Sequence, residues 1–528
     1  MSFMVQFVDI VGERGGFLLQ VLIAVPFVTG LVYLFGLAIY RLYFHPLAKY
    51  PGPFFAKLTN WYSVYHSYIG DRHLQTYWAH QKYGKFVRIA PNLVTINDPA
   101  AIKEIYGVNQ NVRKSAFYDP AIAHAGLQNL FNARDRELHA RKRRIMAPAF
   151  TEASLASMQQ YILPHLDEFF RVAPAEDNTN GGEKGWTADM AKWANYVTFD
   201  IMGDLVFGKD FGMKTGRESR ELPSVIDAAL HRQLLTRPNQ SGCSPFMHRW
   251  KLDRLLFRNL VHRGSQLLLY ARQQAQMRIE ADQSRKDFFW YIANGENKDG
   301  SKAYDDPREV FSEARTLIIG GSDTTATQIA ANFFYLTNNP LTLTRLTDEI
   351  RTSFKSAEDI GLGKVLDSCR YLHAVVNETL RLSPSLPGVL PREVLKGGLG
   401  VVGEIFPAGV ELSVPIYTLH HLEEVYPEPH RFMPERWLPG HNDEESVKWC
   451  TETLTPFSYG SRQCIGKRLA QIEICLLLAK ALWKYDVGYV SGGKEDRFAH
   501  DPEIVEYKLL DHLAAGREGP LIRFASRE

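Results

Sequence analysis

The sequence predicts a mainly α-helical chain with small β-sheets, a single folded domain behind an N-terminal transmembrane helix. Three observations carry this. Phe17 to Tyr40 contains no formal charge. Helical patterning dominates Thr198 to Phe207, Leu255 to Ala281 and Arg308 to Asn338. Strand-like sequence broken by turn residues is confined to Lys85 to Ile96 and Gly397 to Pro415. At 528 residues the length prior allows several domains, but no boundary follows Pro53 and no internal repeat occurs. The chain therefore divides into an anchor (residues 1–40), a proline-rich hinge (41–53) and one domain (54–528).

The anchor comes first in the argument. A helix over residues 17–40 reaches about 36 Å, enough for a bilayer core of roughly 30 Å. A cleaved signal peptide is the alternative, but its apolar region is shorter and ends at a small-residue cleavage site. Arg41, Lys49 and Lys57 follow the span and only Arg14 precedes it closely, which places the bulk of the chain on the cytosolic side. Prolines 46, 51 and 53 predict a stiff, extended hinge. Beyond it, residues 173–184 and 294–307 read as surface loops.

Composition excludes several classes. A net charge of +2 with 23% charged residues gives no basic footprint for nucleic acid. Five cysteines without CxxC spacing argue against a disulfide framework or structural zinc. Gly398-Leu-Gly400-Val-Val-Gly403 fits a dinucleotide fingerprint as a bare pattern, but Pro407 stands where a helix must open, so this stretch reads as a β-hairpin.

The chemistry concentrates in Phe457-Ser-Tyr-Gly460-Ser-Arg462-Gln-Cys464-Ile-Gly466. Glycines let backbone N–H groups approach a sulfur, an arginine supplies fixed charge for a carboxylate, and an aromatic screens the sulfur from water. The loop resembles the haem-binding segment of the cytochrome P-450 family, the haem-thiolate monooxygenases. The resemblance makes Cys464 the iron ligand and Phe457, Arg462 and Gly466 its haem-binding neighbours. Further segments occur in the family's order. Tyr40 to Pro53 is similar to the hinge of filamentous-fungal members. Leu317-Ile-Ile-Gly-Gly-Ser-Asp-Thr-Thr resembles the distal helix, where Gly320 and Gly321 open a groove for oxygen and Asp323 and Thr324 deliver protons. Glu378-Thr-Leu-Arg381 and Phe432-Met-Pro-Glu-Arg436-Trp resemble a structural triad, Glu378, Arg381 and Arg436, beneath the haem. Arg143, with His139 in place of the more usual tryptophan, and Arg392 resemble propionate anchors.

The resemblance implies the cytochrome P-450 fold, haem b, and electrons from NADPH through a separate reductase, with cytochrome b5 as an optional donor. It implies Arg141, Lys142, Lys467 and Arg468 as a docking face for that reductase. Residues 116–130, 222–263 and 383–389, with Phe117, Tyr118, Ile122, Leu386 and Val389, would line a pocket for a lipophilic small molecule. The implied reaction is insertion of one oxygen atom from O2, as hydroxylation or epoxidation in fungal secondary metabolism, at the endoplasmic reticulum membrane. Aromatic-acid or xenobiotic hydroxylation, a reductase-independent isomerase or peroxygenase, and a non-enzymatic haem sensor stand as alternatives.

Overall fold

A computed structural model of the chain describes residues 22–121, 127–176, 185–217, 219–235, 272–274, 276–278, 280, 285–304, 306–494 and 504–527. Residues 17–21 of the expected span, residues 236–271 and Ile122 therefore lie outside the described residues.

The apolar N-terminal run forms α1 (Leu22–Phe44), with a mean hydropathy of 2.3 and no part of its most apolar window buried in the protein. It is long and apolar enough to cross a membrane. The helix continues past Tyr40, where the hinge was expected to begin extended. Its last turn is π-helical and stops at His45, whose φ of −68° and ψ of 144° are the extended geometry that Pro46 imposes on the preceding residue. The segment after His45 is fastened to the body. Arg88 is wholly buried, donating to the carbonyls of Arg41 at 2.7 Å and Pro91 at 2.6 Å, while its own N–H reaches Pro51 O at 2.7 Å. Gly52 passes so close that a Cβ would stand 2.2 Å from Arg88 O. Only glycine fits there.

Beyond the hinge run α2 (Phe54–Leu58), α3 (Trp61–Ile69), α4 (Arg72–Tyr83), β1 (Phe86–Ala90), β2 (Leu93–Ile96), α5 (Ala100–Tyr106), β3 (Val112–Lys114), α6 (Arg136–Met146) and α7 (Glu152–Glu176). Then come β4 (Trp186–Asp189), α8 (Met190–Phe207), α9 (Leu222–Leu235), α10 (Phe288–Ala293), α11 (Pro307–Asn338), α12 (Pro340–Ser353), α13 (Lys364–Ser368) and α14 (Arg370–Leu382). The C-terminal third holds β5 (Arg392–Val394), β6 (Leu399–Val401), β7 (Glu404–Phe406), β8 (Glu411–Ser413), α15 (Ile416–His420), α16 (Glu444–Thr453) and α17 (Lys467–Lys484). It ends on β9 (Tyr485–Ser491), β10 (Leu510–His512), β11 (Ala514–Gly516) and β12 (Leu521–Ser526).

Helices dominate, as the sequence predicts. The loop expected from Ala173 begins later, because Ala173 to Glu176 finish α7 with Ala173 buried. Helix α11 threads the main core between α8, α14 and α17. The strands form four small sheets, the largest in the order β1-β2-β8-β5-β3. The fingerprint-like glycines become the β6–β7 hairpin, with Val402 and Gly403 at φ of 50° and 78° in its turn. No helix opens there, so the dinucleotide reading fails on geometry.

Glu378 is the charged centre of the core beneath α14. Arg381 donates to both its oxygens, Nε at 2.9 Å and Nη2 at 2.8 Å. Arg436 Nε adds a bond at 3.1 Å, the Trp437 indole one at 3.0 Å and the Met433 backbone one at 2.9 Å. Arg381 also donates to the carbonyls of His420, at 2.8 Å, and Pro429, at 2.6 Å. Burial pushes the Glu378 carboxyl up, but the two guanidinium groups and these bonds outweigh it and hold the group below its ordinary value. Breaking such a buried network by removing one charge costs about 3–5 kcal/mol. Glu378→Gln is therefore expected to lower stability by about that much, read as a fall in the thermal unfolding midpoint. An unchanged midpoint would contradict the structural role.

Candidate functional site

The cysteine loop is shaped by one close approach. Gly460 adopts φ of +70°, and a Cβ on it would lie 2.1 Å from Tyr106 O at the end of α5. Ser458 also turns left-handed at φ of 61°. These turns fold the loop back so that Cys464 N donates to Phe457 O at 2.9 Å. Cys464 then sits just before the first turn of α17, where backbone N–H groups of Gly466 and Lys467 point to its sulfur. Burial pushes the thiol up, whereas those N–H groups and the charges of Arg143 and Lys467 pull it down. The cysteine is nonetheless accessible. Protein packs densely around the cysteine, yet the residue keeps accessible surface that an external ligand can use. A Cβ on Gly466 would sit at ordinary contact distance, 3.9 Å from Cys464 Sγ. Backbone strain does not demand glycine there. Phe457 packs at the edge of the main core, with Lys467 Nζ 5.9 Å from its ring centre.

Around His139 the structure gathers four cations. His139 is buried on α6, and its imidazole is held neutral, pushed down to about 2, first by burial and then by Arg462, Lys114, Arg143 and Arg392. Arg143 donates to Gln463 O at 2.6 Å. Arg392 reaches Tyr118 Oη at 3.1 Å and Leu390 O at 3.0 Å. Arg462 binds the carbonyls of Ala133 and Arg134. Burial, followed by Arg392, holds the Arg462 guanidinium down to about 10. The fourth cation, Lys114, was not singled out from the sequence. It ends β3, donates to Phe131 O, and is held well below its usual value by burial and then by Arg392 and Arg462. None of these four forms an ion pair with a carboxylate among the described residues. Like charges buried together are unfavourable unless an anion arrives. Two carboxylates of a porphyrin fit this donor set, and an open cysteine beside Arg143 fits its metal. In hindsight a lysine on a short strand between Val112 and Ser115 carried the signal.

On α11 the structure separates residues that the sequence placed together. A Cβ on Gly320 would meet nothing within 4 Å, whereas one on Gly321 would strike Met202 Sδ on α8 at 2.7 Å. Gly320 opens a groove, while Gly321 admits a neighbouring helix. Helix α11 passes both without a break. Thr324 Oγ1 turns back to Gly320 O at 2.6 Å. Asp323 does not reach it; its Oδ1 instead receives Arg517 Nη1 at 3.0 Å. Burial pushes the Asp323 carboxyl up, opposed by Arg517.

Other expectations divide. Phe117, Tyr118 and Val389 are buried, Leu386 is half-buried, and Ile122 lies outside the described residues. Lys142 is no surface residue: it is buried 2.9 Å from Glu313, and Arg141 lies 3.6 Å from Glu309. A docking face must rest on Lys467, which is exposed, and on Arg468, which pairs with Asp367 at 3.0 Å. The basic helix is amphipathic, and the i, i+3 spacing of Lys142 from His139 turns both inward.

The cation cluster makes a direct forecast. Lys114→Met is expected to speed haem loss about 10-fold or more, the loss of one charge-assisted bond worth about 1.5–3 kcal/mol, with Lys114→Arg retaining haem. Transfer of haem to apomyoglobin measures it, and equal rates in all three proteins would remove Lys114 from the site.

The family model for Cytochrome P450 matches residues 51–510. The chain is 35% identical over 497 residues to Cytochrome P450 monooxygenase atnE of Emericella nidulans, covering 92% of this chain and 93% of that one. It is 36% identical over 501 residues to Cytochrome P450 monooxygenase poxM of Penicillium oxalicum, with 93% of each covered. With the Trichothecene C-15 hydroxylase of Fusarium sporotrichioides it shares 31% identity over 467 residues, 88% of this chain and 92% of that protein. An accessible cysteine at a helix start, beside a cation cluster awaiting carboxylates, thus occurs in a chain that belongs to the cytochrome P450 family of haem-thiolate monooxygenases.

Proposed function

We propose that the protein is a membrane-anchored monooxygenase that hydroxylates or epoxidises a lipophilic small molecule of fungal secondary metabolism, with electrons from NADPH delivered by a separate reductase. The observation that carries this is the pairing of the accessible Cys464 sulfur with four carboxylate-free cations. The name of the trichothecene hydroxylase, and the fungal origin of the other relatives, support the substrate class.

Haem, when bound, supplies oxygen activation and the redox chemistry. The chain's own residues do the rest. Cys464 would supply the sulfur ligand to the haem iron, and N–H groups at the start of α17 stabilise the negative charge of that sulfur. Lys114, Arg143, Arg392 and Arg462 would hold the two propionates, with His139 as a neutral donor among them. Gly320 leaves room at the face of α11, and Thr324, one turn on, presents a hydroxyl to that space. Asp323 serves as the source of protons for it. Electrons enter on the side of Lys467 and Arg468, whose charge suits an acidic partner.

Placement at the endoplasmic reticulum membrane, with the body in the cytosol, is supported by the apolar α1 and the positive charges after it. Exposed aromatics continue the apolar surface beyond the helix: Tyr43, Phe44, Phe54, Phe55, Trp61 and Tyr65. Aromatic rings of this kind favour the headgroup layer.

The reduced carbon-monoxide difference spectrum tests the reading. Wild type should give the Soret band of a thiolate-ligated haem and Cys464→Ala should not; a nitrogen-type band in folded wild type would overturn it. Thr324→Ala should divert reducing equivalents to hydrogen peroxide by at least several-fold over wild type, corresponding to about 1 kcal/mol or more. Unchanged coupling would remove the hydroxyl from proton delivery. A glycosylation acceptor inserted in the exposed residues 298–300 should remain unmodified in fungal microsomes, and its glycosylation would reverse the proposed orientation.

A further inference from the structure

We infer that Arg517 is a positioning residue for this chemistry: it holds the Asp323 carboxylate away from Thr324 and ties it to the C-terminal β10–β11 hairpin, so that the hairpin's position governs when Asp323 can supply protons. This rests on the monooxygenase reading above.

The argument begins with helix geometry. Adjacent residues on an α-helix project about 100° apart and do not face each other. Thr324 turns towards Gly320 and Asp323 towards the end of β11. There Arg517 is 3% exposed in its side chain and spans three elements. Its Nη1 donates to Asp323 Oδ1 at 3.0 Å, to Thr327 Oγ1 at 2.7 Å and to Ala515 O at 3.3 Å. Its Nη2 donates to Asn195 Oδ1 on α8 at 2.7 Å. Its Nε finds no partner among the described residues. A buried donor left over costs free energy, so the pair is held in place without being fully satisfied.

The hairpin that leads into Arg517 also contacts α4, α9 and Ser385. Asp511 pairs with Arg72 on α4 at 2.9 Å. His512 meets Asp227 on α9 at 2.8 Å and stacks on His231, with ring centres 3.9 Å apart. Ala515 N donates to Ser385 O at 2.9 Å, and Ser385 Oγ donates to Thr324 O at 2.7 Å. A ligand that displaces α9 or the hairpin therefore moves Arg517 relative to Asp323 and Ser385 relative to Thr324. Asp227 and His512 are the other charged groups acting on Asp323, the first raising and the second lowering its proton affinity. Burial already raises it, and Arg517 is the main restraint. Removing the guanidinium should raise the proton affinity of the carboxyl further. An opposite charge this close shifts a carboxyl by about one to three units.

The test uses the full-length, haem-loaded protein in lipid nanodiscs with a fungal reductase. Infrared difference spectra of R517Q against wild type should show a new protonated-carboxyl band at neutral pH, lost in R517Q/D323N. NADPH oxidation without added substrate should have its pH midpoint raised by about one to three units in R517Q, remain at the wild-type midpoint in R517K, and rise by a smaller amount in T327V. An R517Q protein with no new band and an unmoved midpoint overturns the assignment, as does an R517K midpoint displaced as far as that of R517Q. If R517Q does not fold, T327V decides: a raised midpoint supports the assignment and an unmoved one overturns it. A wild type without the thiolate band overturns the parent reading instead.

Discussion

Lys114, Arg143, Arg392 and Arg462 converge on a neutral His139 with carbonyl oxygens and one phenol to receive their protons, and the rest of the structure depends on this uncompensated charge. The four come from β3, α6, β5 and the cysteine loop. Folding must bring them together against their mutual repulsion, and burial of each adds a desolvation cost. A ligand with two carboxylates reverses both terms at once. Cofactor binding and folding are then linked, because anything that binds the folded chain and not the unfolded one stabilises it by mass action.

Two other deep charges are neutralised internally. Glu378 receives two guanidinium groups, an indole and a backbone N–H. Lys142 meets Glu313, whose other oxygen accepts the N–H of Leu130 and so fastens the segment after β3 to α11. At these two positions paired charge braces the core, whereas the charges around His139 have no carboxylate among the described residues. Lys142 and Arg143 make the distinction sharp. They are neighbours on α6, yet one is matched to a carboxylate and the other is turned towards Gln463 and Cys464.

Much of this was legible in residue order. The cysteine between glycines, the i, i+3 pair Glu378 and Arg381, and the uncharged N-terminal run each carry their physics within a few residues. Arg436 was legible only through the resemblance of Phe432 to Trp437 to the family's segment, and the bond from Trp437 to Glu378 emerged from the fold. Lys114 and Arg517 were not, since each acts through partners far along the chain and neither sits in a patterned stretch. The double glycine was half legible: residue type announces a close approach or an open space, but only packing tells that Gly320 is the open one and that Met202 fills the place beside Gly321. The hinge erred for a local reason. A proline restrains the single residue before it, so the helix could run on to Phe44.

Helix α11 shows why neighbouring motif residues need not cooperate directly. Gly320 and Thr324 are one turn apart and share a face, as do Asp323 and Thr327, which Arg517 bridges. An acid and an alcohol side by side in sequence therefore stand on diverging faces, and a proton passing between them needs either a water or a rotation of the acid. Rotation requires releasing a buried carboxylate from a guanidinium, which leaves the arginine unpaired unless Asn195 and Ala515 O retain it. Those two acceptors are already in place. Asp323 can leave with those two hydrogen bonds kept, so the cost of release is the loss of Arg517's counter-ion rather than of all its partners.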